Sequence, residues 1–325
     1  MNKQIPLAFL PIDTIVADPI DYLTSRGLHV SDYEYRTLSD FGLGPPVIRY
    51  HIHAGDGGKT FIAKWHEPDE GACVYSLLRA LWDAGFAQDE ALRIAEPWEY
   101  IDGKNILLQM EARGLPLLSF MDDLVAALGP VQMAARWLAK LHTLPNFQPA
   151  CSEFNALSPV AIGNTLRRHH DALCERLPSL ALRFHAVARR INHALAERSV
   201  GGTVPTHGDY HPKNIYVHDN NITLIDFDRF ALSHAERDLG YFVAQSMTMS
   251  YAQHGSFQQI ANWNSAFLDE YQRCGVPINA GLLGAYVGLA FVEVLFYRLC
   301  VRPVADGSFV TEWLDACVQL MSSSS

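Results

Sequence analysis

His207-Gly208-Asp209-Tyr210-His211-Pro212-Lys213-Asn214, followed by Ile225-Asp226-Phe227-Asp228, is the stretch on which the reading of this 325-residue chain turns. Between the two segments, residues 215–217 and 222–227 are β-rich and flank Asp219-Asn220-Asn221, a hairpin signal. Asp209 and Asn214 stand five residues apart, and Asp226 comes twelve residues after Asn214. Taken singly, each residue is ordinary, since Gly and Asp favour turns and Asn caps them. Taken together, H-G-D-x-H-x-x-N with a downstream D-x-D flanked by strand residues is hard to reach by chance.

Outward from this island, the first third of the chain alternates strand and helix patterns. Residues 47–53 and 60–65 are β-rich and flank Gly55-Asp56-Gly57-Gly58, a second hairpin signal. A helix is expected around residues 19–27, and another over 73–82, where Val74, Leu77, Leu78 and Leu81 recur at helical spacing. Strands are expected at 94–100 and 106–110, with Asp102-Gly103 between them. From Leu117 onward the apolar positions recur at three and four residues, as in Met133, Trp137, Leu138 and Leu141. Arg113-Gly114-Leu115-Pro116 breaks the pattern between the two regimes. The expected organisation is α+β, with a sheet-containing lobe over residues 1–111 and a mainly helical lobe over 112–325.

Composition narrows the partners. Lys and Arg number 25 against 35 Asp and Glu, so the net charge is −10 and a nucleic-acid partner is not expected. Six widely scattered cysteines form no CxxC or metal-ligand spacing and read as reduced thiols. Pro6 and Pro11 interrupt the apolar N-terminal patch, and no cleavage site is evident, which makes the cytoplasm the default. Residues 274–292 carry no charge and approach the length of a membrane span. Pro277 and Asn279 break the start, Glu293 and Arg298 interrupt the continuation, and a buried helix fits better than a membrane partner. Residues 322–325, all Ser, read as a frayed tail.

The catalytic-loop spacing resembles that of the aminoglycoside phosphotransferase family, relatives of choline, homoserine and fructosamine kinases and, more distantly, of protein kinases. The resemblance implies a protein-kinase-like two-lobed fold, with ATP between a small sheet-containing N-lobe and a mainly helical C-lobe. It implies Asp209 as the residue that orients the acceptor hydroxyl and takes its proton, with His211 organising the loop or contacting phosphate. Asn214 and Asp226 would supply hard oxygen ligands to Mg²⁺, and Asp228 would reach a second metal or the acceptor, or pair with Arg229. Asp238, in Arg237-Asp238-Leu239, matches the family's Asp-Leu at the start of a helix that supports the loop. Lys64, ending Phe61-Ile62-Ala63-Lys64 on the third strand, would hold the phosphates, and the backbone at Glu111 and Ala112 would meet the adenine.

The pattern departs from the family in two places. No G-x-G-x-x-G loop exists, only Gly42-Leu43-Gly44, and the expected helix acid is missing from Val74-Tyr75-Ser76-Leu77, leaving Glu70 as the nearest partner for Lys64. Two other readings stay open: a metal hydrolase with His207, Asp209 and His211 as ligands, and a kinase-like scaffold without activity. Eleven residues separate Asp226 from Asp238 and no A-P-E motif follows, so a small hydroxylated acceptor is expected rather than a protein. Asp228, Asp269, Glu270 and Glu293, with Trp263 nearby, would wall its site and favour a cation. The sequence does not indicate an oligomeric state.

Overall fold

The computed structural model describes residues 12–323 except 29, 31, 40–45, 54–57, 88, 90, 124, 155, 198–201, 258–259 and 305–306. The tip of the first expected hairpin and Gly42-Leu43-Gly44 lie outside the described residues. The chain divides into two compact units, the first comprising residues up to Arg113 together with Pro149–Ser152 and Thr223–Ile225.

In the first unit, β1 (Asp32–Thr37), β2 (Val47–His53), β3 (Lys59–Trp65), β5 (Pro97–Ile101) and β6 (Ile106–Met110) form one sheet in the order β1-β2-β3-β6-β5. All its pairings are antiparallel. Alternation along β2 and β3 puts Ile48, Tyr50, Ile52, Phe61, Ala63 and Trp65 into one apolar cluster. Helix α1 (Ile12–Ser25) adds Ile15, Val16, Ile20 and Leu23 to the same cluster. Lys64, flanked in register by Val47 and Leu107, therefore falls on the other face of the central strand. Helix α2 (Glu70–Leu81) buries Val74, Leu77, Leu78 and Leu81, the four residues whose spacing called for it. The short strand β4 (Leu92–Ile94) precedes β5.

Cys73 on α2 and Cys151 form a disulfide, with Cα atoms 5.7 Å apart across 78 residues of sequence. This corrects the expectation of six reduced thiols. Spacing fails as a guide here because the partner is distant along the chain and no short motif marks it.

The second unit is mainly helical. It contains β7 (Leu115–Pro116), α3 (Leu128–His142), α4 (Pro159–Arg176), α5 (Ala181–Glu197), β8 (Val204–Thr206), β9 (Ile215–His218), the first half of β10 (Asn221–Leu224) and β11 (Ala231–Ser233). The helices α6 (Glu236–His254), α7 (Ala261–Arg273), α8 (Ala280–Phe296) and α9 (Phe309–Ser323) complete it. Ser322 and Ser323 thus close α9 rather than forming part of a tail. Ser158 and Asn279 cap α4 and α8, each side-chain oxygen accepting a backbone N–H of the first turn at 3.1 Å. Helix α8 packs against α4, α5, α6 and α9. The segment Ala280–Val301 is long and apolar enough to cross a membrane, but 61% of its most apolar window is buried, as in a core helix.

Gly114 sits at φ +93°, and a Cβ there would lie 1.9 Å from the carbonyl oxygen of Val217 on the paired strand. The close approach of β7 to β9 therefore requires glycine at that point. Non-reducing peptide mapping is expected to recover a Cys73–Cys151 cross-link. Replacing both cysteines with alanine is expected to lower the unfolding free energy by roughly 2–4 kcal/mol, read from chemical denaturation.

Candidate active site

The loop that leads from β8 to β9 is held by one buried carboxylate. Asp238, in the first turn of α6 and fully shielded from solvent, accepts the His207 N–H at Oδ2 and the Gly208 N–H at Oδ1, both at 2.7 Å. Its Oδ2 also lies 3.1 Å from His142 Nε2, and His142 Nδ1 is 2.7 Å from the Tyr271 hydroxyl. Burial alone would raise the Asp238 carboxyl, but the His142 hydrogen bond and the positive neighbours outweigh it and hold it below the ordinary range. Gly208 is at φ +82°, and a Cβ would lie 2.0 Å from the Arg229 carbonyl oxygen, which accepts a hydrogen bond from Arg237. Any other residue at 208 would push the loop off this anchor.

From that anchor the loop presents Asp209. Asn214 Nδ2 donates to the Asp209 carbonyl and to Oδ2, each at 3.0 Å, so the amide oxygen of Asn214 is the atom that could ligate a metal ion. His211 Nε2 is 3.4 Å from Asp209 Oδ2, and Arg229 Nη1 is 3.5 Å from Oδ1. Burial opposes ionisation of Asp209, yet His211, Arg229 and His207 together depress its pKa far below the ordinary carboxylate range. Asp209 is therefore a carboxylate at neutral pH and a weak base.

Asp226 follows β10 in the left-handed region at φ +68°. Such a conformation costs an L-residue about 1 kcal/mol and is concentrated at functional sites. Between Asp226 and Asp228, the Phe227 ring packs 4.4 Å from His207 and 6.1 Å from Trp137, so the D-F-D segment and the H-G-D loop share one core. In the first unit, Lys64 lies on β3 as the sequence pattern required. Glu70 opens α2 with its carboxylate 3.9 Å from His66 Nδ1. The Glu111 carboxylate takes a two-pronged ion pair from Arg49, at 2.6 and 2.9 Å, and the Glu111 N–H donates to the Thr60 carbonyl. Of the Glu111 backbone groups, the carbonyl is the one outside that pairing.

His207 is fully buried, and its Nδ1 accepts the Asp209 N–H at 3.2 Å. Among the described residues, His207, Asp209 and His211 do not form a group of converging metal ligands. Gly208 and Pro212 make this a loop, and the strand alternation that a metal hydrolase would need is absent.

The pairing that sequence reading missed is Arg229 with Glu293, 64 residues apart. The two side chains meet at 2.6 and 3.1 Å, and Arg229 also donates to the Tyr241 hydroxyl at 3.0 Å. Their separation leaves no local signature. A cavity of about 890 Å³ in the second unit is lined by Asp209, Lys213, Arg229, Glu293, Arg298 and Arg302 among others. Of the acids expected to wall an acceptor site, Glu293 lines this cavity, whereas Glu270 and Asp269 lie elsewhere. Glu270 is buried against Arg136 and Arg273, Asp269 is exposed on α7, and Trp263 is in the core.

The chain matches the model of a phosphotransferase enzyme family over residues 49–276, and it belongs to that family. It is similar in structure to spectinomycin phosphotransferase APH(9)-Ia, solved with ADP and spectinomycin, at 14% identity and a TM-score of 0.63 over 95% of this chain and 98% of that one. It is also similar to choline kinase LicA from Streptococcus pneumoniae, at 14% identity and TM-score 0.61 over 96% and 99%. Macrolide 2'-phosphotransferase MphH from Brachybacterium faecium has 20% identity and TM-score 0.58 over 94% and 97%. The fold is thus that of the protein-kinase-like small-molecule kinases. No curated protein sequence matches the chain.

Asp238 ties stability to pH. A carboxyl whose pKa is lower folded than unfolded contributes stability that is complete above the ordinary value of 3.8 and is lost as pH falls through the folded one. Asp238→Asn is expected to cost roughly 3 kcal/mol or more at pH 7. It should also make the loss of stability below about pH 4 shallower than in the parent, which denaturant unfolding across pH 3–7 measures.

Proposed function

We propose that the chain transfers the γ-phosphoryl group of ATP to a hydroxyl of a small molecule, in a Mg²⁺-dependent reaction. The observation that carries this reading is the Asp209 cluster, a deprotonated carboxylate fixed by Asn214 and His211 on a loop clamped by Asp238. A carboxylate so weakly basic does not strip a hydroxyl in advance. It accepts the hydroxyl's hydrogen bond, turns the oxygen toward phosphorus, and takes the proton late, as the new P–O bond forms.

The oxygen donors fit magnesium. Asn214 has its amide nitrogen on Asp209, and Asp226 is held in a conformation that a local energetic cost accompanies. These two residues would hold the ion, with Asp228 as a further carboxylate, and the ion would neutralise charge on the phosphates. Lys64 is assigned to phosphate, Glu70 to pairing with Lys64, and the Glu111 carbonyl with Ala112 to adenine.

For the acceptor, the cavity that includes Asp209 is the natural candidate, being within the size range of small-molecule sites. Four of its six charged residues are cations, and Arg229 pairs with both carboxylates. Spectinomycin phosphotransferase and choline kinase are named for cationic acceptors, but this lining favours a neutral or acidic hydroxylated molecule. ADP release is expected with polyols, hydroxy acids or sugar phosphates, and not with amino alcohols or aminoglycosides. Turnover confined to the cationic compounds would refute the charge argument.

Asp209→Asn is expected to lower turnover by ~10²- to 10⁴-fold while leaving nucleotide affinity nearly unchanged, as measured by steady-state kinetics and equilibrium binding. Asp226→Ala should instead weaken Mg²⁺-dependent nucleotide binding by about tenfold or more, seen by titrating magnesium at fixed nucleotide. Parent-like turnover in folded Asp209→Asn, or parent-like magnesium dependence in Asp226→Ala, would remove the corresponding role.

A further inference from the structure

Away from the catalytic loop, three metal-ligating side chains meet on α4 and α5. His170 and Cys174 stand one helical turn apart on α4, and His185 comes from α5. His170 Nε2 is 2.8 Å from His185 Nδ1 and 3.5 Å from Cys174 Sγ, and the three ligand atoms all lie within 4.8 Å of one another. The other nitrogen of the same ring, His170 Nδ1, is 2.8 Å from Asp171 Oδ1. We propose that His170, Cys174 and His185 form a binding site for a borderline transition-metal ion of the zinc type, with Asp171 orienting His170.

The distances suit such an ion. Around a tetrahedral Zn²⁺ with ordinary bond lengths, two nitrogen ligands sit about 3.3 Å apart and a nitrogen and a sulfur about 3.5 Å apart. The Cys174–His170 separation already meets this value. The two imidazoles would open by about half an ångström, a small rotation for the exposed His185. Two imidazoles and a sulfur select a zinc-type ion over magnesium or calcium, which take oxygen ligands.

The surroundings are built as metal sites are. A carboxylate behind a ligating histidine fixes its tautomer and orientation, which is the position of Asp171. Leu166 and Leu173 on α4, with Phe184, Val187 and Ile191 on α5, are buried, so the two helices present their ligands from a packed base. Binding would form a metal–thiolate bond at Cys174 and release the thiol proton to solvent. Three protein ligands leave a fourth position for water. None of these residues belongs to the Asp209 cluster. The competing explanation is a bare His170–His185 hydrogen bond with a thiol beside it.

The test uses the full chain, stripped with chelator and titrated with Co²⁺ as a spectroscopic probe. One equivalent is expected to bring up a thiolate-to-cobalt charge-transfer band in the near ultraviolet, which Zn²⁺ then removes. Cys174→Ser should abolish the band, His185→Ala should weaken Zn²⁺ binding by about tenfold or more, and Asp171→Asn by about 10- to 100-fold. Circular dichroism of each variant confirms the fold, and His185 and Asp171 are exposed enough to be replaced without disturbing it. Absence of the band in the parent overturns the site. So does a band that survives Cys174→Ser, which places cobalt on another thiol, or Zn²⁺ affinity unchanged in both His185→Ala and Asp171→Asn, which leaves a lone thiol adduct.

Discussion

The second unit is organised around the carboxylate of Asp238. It is fully buried, yet it stays ionised because His142 and two backbone N–H groups share its charge. An ion in the interior is tolerable only with that degree of satisfaction, and a loop gripped at two successive amides has little freedom to move. Gly208 follows from this. The loop must turn through positive φ to bring both amides onto one carboxylate, and the Arg229 carbonyl already fills the space a side chain would need. The H-G-D triplet is therefore a mechanical requirement before it is a chemical one.

Once the loop is fixed, the charge arrangement at its tip decides what Asp209 can do. Asn214, His211 and Arg229 all approach the carboxylate from the protein side. Each contact weakens its basicity, and together they define its direction. A site that needed a strong base would isolate the carboxylate in apolar surroundings and raise its pKa. The opposite arrangement here suits the proposed transfer, in which alignment of the hydroxyl matters more than early proton removal. Arg229 adds a second constraint, because its pairing with Glu293 and Tyr241 sets where a cation stands beside that carboxylate.

Local patterns announced most of the framework. The Lys64 strand, the α2 apolar face, the hairpin after Asn214 and the loop itself are all features in which the informative residues lie within a few positions of one another. What escaped the sequence shares the opposite property. His142 meets Asp238 across 96 residues, Arg229 meets Glu293 across 64, and Cys73 meets Cys151 across 78. None of these pairs has a spacing rule, so each side chain read alone is an ordinary surface charge, core histidine or lone thiol. The disulfide also removes the cysteine argument for a reducing compartment. The uncharged run at 274–292 is a case where composition alone is ambiguous, because a helix wrapped by four others and one wrapped by lipid look alike, and the polar and proline residues at its ends are what favour the buried helix the structure has.

The short path from Asp226 to Asp238 bears on where the proposed acceptor would be recognised. Those eleven intervening residues hold β11, paired to β8, and the Phe227 and Arg229 contacts, so no length remains for a substrate-gripping loop. In the proposed reaction, recognition would pass instead to α6, to the end of α8, and to the residues beyond it. There the helix widens into a π-helical turn, Tyr297–Val301, a departure that re-aims side chains and is often found at functional sites. It carries Arg298, whose guanidinium lies against the rings of Phe309 and Trp313, 5.4 and 5.5 Å from their centroids. A cation held against aromatic faces gains part of its positioning from the rings themselves. Under the proposed function, the helix end would set the charge of the acceptor while the loop sets the chemistry.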